Sequence, residues 1–297
     1  RLLEKCETEE KQLQIIEKYE SRRNDDWQSF TDDGSSFITE ENKDLMDLNI
    51  LGSHSLFQWL NIAYTKSGKR KLMKQLTKTE FDETSWKQTQ RAVKEMTEHP
   101  LFGIKFQAIL SEIRNIHKLD LEEKKLYPSE CKKPEWISII MGSVFALAML
   151  VSLVLGLSEM ISFGTAGIML LICLCNLCIF SYFHGAEYEE IEKCIRAFGK
   201  MERLISFVSE EQFKEDVVCQ YQEKIRLGKM TMHRISKIAS LYYAKENMFS
   251  NVLFNVVFIL NPLLVFLYRN TMKEGSAILY DTMESIEKIE LFIALAG

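Results

Sequence analysis

WISIIMGSVFALAMLVSLVLGLSEMISFGTAGIMLLICLCNLCIFSYF, from Trp136 to Phe183, carries one charged residue, Glu159, and its reading decides the fold. All the other charged side chains among the chain's 37 Lys and Arg and 42 Asp and Glu lie outside it. Roughly 20 apolar residues cross the hydrocarbon core of a bilayer. The stretch therefore divides into two spans, Trp136 to Leu157 and Met160 to Phe183, joined by the tight linker Leu157-Ser158-Glu159-Met160-Ile161. A pair of buried core helices is the weaker reading, because neither segment has the polar face that a helix at a protein surface keeps.

The flanks give the orientation. Lys124, Lys125, Lys132 and Lys133 precede the first span, Lys193 and Arg196 follow the second, and the linker has no Lys or Arg. Basic residues favour the cytoplasmic side, which places both arms in the cytoplasm and the loop across an inner or plasma membrane. Trp136 and Tyr182 stand where interfacial aromatics anchor a helix. Within the spans, Ser152 and Asn176 are expected to hydrogen-bond between helices or between chains. Gly164 and Gly167 with Ala166 offer a small-residue face for close helix contact.

Outward from the hairpin the arms read as helix. Residues 1 to about 23 form a charged helix ending at Ser21-Arg22-Arg23-Asn24, and Asp32-Asp33-Gly34-Ser35-Ser36 is a turn. Leu45 to Leu76 is a compact apolar segment. A helix from Glu83 to His99 stops at Pro100, and Ile104 to Leu119 continues at helical spacing. Tyr127 to Pro134 approaches the membrane. From Ala186 to Met248, Ile191, Ile195, Phe198, Met201, Ile205 and Val208 form one stripe at three- and four-residue spacing. Ser209-Glu210-Glu211 is expected to cap the next helix, with a bend at Gly228. A third uncharged window, Asn247 to Tyr268, is interrupted by Asn251, Asn255, Asn261 and Pro262, and reads as a buried helix with a break at Asn261-Pro262 rather than a third span. The class is all-α.

Chemistry is hard to find. The chain has a net charge of −5 and a pI near 5.7, so no global basic field draws nucleic acid. It contains no GxxxxGK[ST], HExxH, GxSxG or GxGxxG. His54, His99, His117, His184 and His233 are scattered without ligand spacing, as surface or capping residues. Lys69-Arg70-Lys71 reads as a solvated helix face. Seven cysteines without a framework suit a reducing cytoplasm, and Cys173, Cys175 and Cys178 read as small apolar residues of a span rather than metal ligands. No catalytic, cofactor-binding or metal-binding residue is assigned.

One resemblance is more specific. Asp47-Leu48-Asn49-Ile50-Leu51-Gly52, then Ser55-Leu56-Phe57-Gln58 with Leu60 and Asn61, then Thr65, Gly68, Leu72 and Leu76 resemble the start of the core and lever region of MutS-related proteins. Gln90, Ala92, Val93, Glu95 and Met96 match a later element, and Ile289-Glu290 with Ala294-Leu295-Ala296 resembles the helix leading into that family's ATPase domain. Asn49, Gln75 and Thr89 depart from the usual Asp, Trp and Arg. The membrane-anchored branch, where a transmembrane hairpin interrupts the lever, is the nearest in kind.

The resemblance implies a MutS-like helical core and lever in four parts: an N-terminal helix and turn (1–43), a first core part (44–135), the hairpin (136–183), and long lever helices with the second core part (184–297). This chain is then not itself an enzyme. It reads as a piece of a longer polypeptide whose ABC-type ATPase domain follows Gly297, takes ATP and Mg, and forms a homodimer. The helices would couple that domain's movement to the bilayer, or to a DNA or protein partner, although net charge gives no argument for DNA. The alternative is a membrane scaffold or protein-interaction module with no nucleic-acid role.

Overall fold

The computed structural model describes residues 2–80, 82–113, 135–158, 162–244 and 260–297. Every regular element among them is helical. In chain order these are α1 (Leu2–Arg23), three 3-10 turns (Asp26–Ser29, Ser35–Phe37, Glu40–Asn42), α2 (Asp44–Asp47), α3 (Leu56–Leu60), α4 (Lys66–Leu76), α5 (Glu83–Glu98) and α6 (Pro100–Ser111). Then come α7 (Glu135–Leu157), α8 (Phe163–Phe198), α9 (Met201–Glu210), α10 (Asp216–Leu227), α11 (Lys229–Ala244) and α12 (Leu260–Ala296). The chain folds into two compact units: Arg1–Glu123 with Lys200–Met230 and Ala277–Gly297, and Lys124–Gly199 with Thr231–Ser276.

In the first unit, helix starts follow local chemistry. The side chains of Ser55, Thr65 and Asp82 cap α3, α4 and α5 by accepting from the N–H of Gln58, Gly68 and Thr84, and Pro100 occupies the first turn of α6. α6 is apolar on nearly all sides and accordingly buried: Phe102 stacks on Phe207 at 5.3 Å and meets Phe213 edge-on at 5.0 Å. A second cluster gathers Leu51, Phe57, Leu60 and Leu72 around Leu291 of α12. The loop before α3 is held by residues in the left-handed region, Asn49 (φ 52°), Gly52 (φ 95°) and His54 (φ 59°). Asparagine tolerates this conformation as aspartate does, so Asn49 is compatible with the turn.

In the second unit, α7 and α8 pack along each other; with only five residues between them they run antiparallel. The buried face of α7 is small, with Gly142, Ala146, Ser152 and Gly156 at seam spacing, and α8 contributes Cys173 and Asn176. This corrects the expected contact face. Gly164 and Gly167 are exposed, with nothing within 4 Å of a Cβ placed on Gly167. Ser152 donates to Met149 of its own helix at 2.8 Å rather than across the seam.

Three further expectations change. The second apolar segment is no separate helix, because α8 runs unbroken through residue 183 to Phe198. The stripe from Ile191 to Val208 is buried throughout but breaks at Gly199-Lys200, where a Cβ on Gly199 would overlap Ala239 of α11. Ser209 lies in the last turn of α9 instead of capping a helix: its hydroxyl donates to the Ile205 carbonyl at 2.6 Å, and α10 starts only at Asp216. The bend at Gly228 falls between α10 and α11 as expected. Of the third apolar window, 247–259 lies outside the described residues; Leu260, Leu264, Val265 and Tyr268 are buried on α12. The approach from Tyr127 to Pro134 and the basic residues before α7 also lie outside them.

Candidate functional site

α12 presents Ile286, Ile289 and Ile293 to the core of the first unit, and Glu287 and Glu290 stand among them, 1 % and 0 % exposed. An ionised carboxylate in such a place must be compensated. Glu290 accepts from the backbone N–H of Tyr64 at 2.6 Å, from that of Thr65 at 3.1 Å, and from the Thr65 hydroxyl. The Thr65 oxygen in turn accepts from Gly68 N–H at 2.8 Å as the cap of α4. A Cβ on Gly68 would overlap the Glu290 Oε2 atom and lie 2.7 Å from Thr65 Oγ1, so only glycine lets α4 come this close to α12. Burial pushes the Glu290 carboxyl above its ordinary value, while the Thr65 and Tyr64 hydrogen bonds and the charge of Lys69 pull it back.

The basic run beside it is not a solvated face. Lys69 pairs with Asp32 at 2.6 Å, and Lys71, its side chain 11 % exposed, reaches buried Glu287 at 3.3 Å and Glu284 at 3.8 Å. These lysines are spent inside the fold on α12 and on the turn at Asp32, and phosphate would have to compete with carboxylates for them.

Two more buried polar groups from the quoted motifs do similar work. Glu95, 4 % exposed, accepts from the N–H groups of Lys214 and Glu215 at the start of α10, where orphan donors need an acceptor. Gln58, also 4 % exposed, donates to the carbonyls of Gln28 and Phe30 at 3.2 and 2.6 Å and accepts from His54 N–H at 2.7 Å. Each carries one chain segment onto another 28 to 226 residues away. None is open to a substrate. The arrangement fixes helices against one another.

Sequence reasoning placed Thr65, Gly68, Glu95 and Glu290 within motifs but gave them no role. The usable signal was a carboxylate on an apolar helical face: Glu290 between Ile286 and Ile293, Glu95 between Ala92 and Met96. The cysteine trio does not converge, since Cys173 is buried and Cys175 and Cys178 are exposed, and no group of three or more His, Cys, Asp or Glu among the described residues could hold a metal ion. Of the histidines, His99 precedes Pro100 at the head of α6 and lies 3.5 Å from Glu211. No family model matches the chain, and no curated protein or solved structure matches it.

Proposed function

We propose that this chain is the core and lever region of a membrane-anchored, MutS-like ATPase, coupling ATP-driven movement of a downstream domain to a transmembrane hairpin. The observation that carries the reading is the Glu290 node. The segments that resemble the family at Thr65-Gly68 and at Ile289-Glu290 lie over 220 residues apart, yet they dock on each other through three hydrogen bonds to one buried carboxylate. A helix that enters a motor domain needs such a rigid attachment if movement is to arrive undamped.

Among the described residues one helix, α7, is long and apolar enough to cross a membrane, and it supports an anchor; the second span rests on the sequence of residues 160–183. Residues Ile139–Leu157 have a mean hydropathy of 2.5, and only 22 % of that apolar window is buried. A core helix of a water-soluble protein would be mostly covered. Instead Ile140, Val144, Leu147, Val151 and Val154 on α7 and Ile168 and Leu171 on α8 are each at least half exposed, an apolar surface suited to lipid. With the basic flanks, this favours a bilayer partner and cytoplasmic arms.

The test has two arms. The coding sequence beyond residue 297 is expected to contain GxxxxGK[ST], and the full polypeptide in nanodiscs to hydrolyse ATP in a Mg-dependent way. Absence of both would leave the scaffold reading in its place. A role at DNA predicts binding that weakens steeply with salt; salt-independent binding, or none, removes it.

A further inference from the structure

We draw no further inference here: the strongest candidate, the surface patch of exposed Met46, Leu48, Leu56 and Trp59 around α2 and α3, rests on apolar side chains alone, and nothing in the structure shows what covers it.

Discussion

Replacing Gly68 with alanine adds one methyl group, ordinarily a gain of about 1 kcal/mol inside a helix. Here the methyl carbon would sit 2.7 Å from Thr65 Oγ1, 2.8 Å from Glu290 Cδ, and in overlap with Oε2. Neither neighbour is a free side-chain end: Thr65 caps α4, and Glu290 is fully buried with three donors on it. Relief requires Glu290 to leave its donors or α12 to back away from α4. Stranding the buried N–H groups of Tyr64 and Thr65 costs about 1–3 kcal/mol each. After the helix-propensity gain, the net loss is on the order of 1–5 kcal/mol. Urea unfolding in detergent micelles, followed by tryptophan fluorescence, measures it. Gly167→Ala, with nothing within 4 Å of the new carbon, is the control and should be neutral or slightly stabilising. The cause is isolated by repeating Gly68→Ala in a Glu290→Ala background, where only the Thr65 Oγ1 contact remains and the added cost should fall. A Gly68→Ala protein within about 0.5 kcal/mol of wild type, or an undiminished cost in the double variant, refutes the reasoning.

Glu290 also sets a pH dependence. Its folded carboxyl titrates above the ordinary value of 4.5, so the folded state holds the proton more tightly than the unfolded chain. Stability from this group is complete below 4.5 and declines as pH rises to its folded value; the wild-type-minus-Glu290→Gln difference should show that fall, and a flat or rising difference contradicts it. Glu95→Ala leaves two N–H groups at the head of α10 without an acceptor and should cost about 2 kcal/mol in the same urea assay. By contrast, Glu83→Ala breaks only the exposed pair with Lys87 and should change stability by less than about 0.5 kcal/mol. On the α7 seam, Ala146→Leu should overpack the contact with α8 by about 1–3 kcal/mol and hasten proteolysis of the hairpin, whereas Val144→Leu on the exposed face should leave cleavage unchanged.

What was legible in the residues was local. Thr65, Asp82 and Pro100 announce helix starts because a cap or a fixed φ acts on its own neighbours. The all-α class follows from the same periodicities. What was not legible depends on contacts from afar. Gly199 keeps the apolar period across a break at which it packs against Ala239, forty residues on. Ser209 looks like a cap but bonds backward, and the acceptor at the start of α10 is Glu95, 119 residues earlier. The lysines at 69 and 71 look solvated because surface charge is the commoner case, and only the fold brings Asp32 and Glu287 to them. Glycine pairs misled in the same way: Gly164 and Gly167 have the right spacing, but the seam formed on Gly142 and Gly156 instead.

α8 has a consequence for force. Its 36 residues form one rod about 54 Å long at 1.5 Å per residue, against a bilayer core of ~30 Å. On the membrane-anchored reading, residues 184 to 198 project some 22 Å past the lipid as a rigid continuation, with no joint at the water boundary. On that reading, sideways pressure on this end, where Glu192 and Arg196 bond to Tyr242 of α11, would not be absorbed by a hinge but would swing the embedded half the opposite way about a fulcrum in the headgroups. The bilayer would feel the stroke as torque, like water against an oar blade.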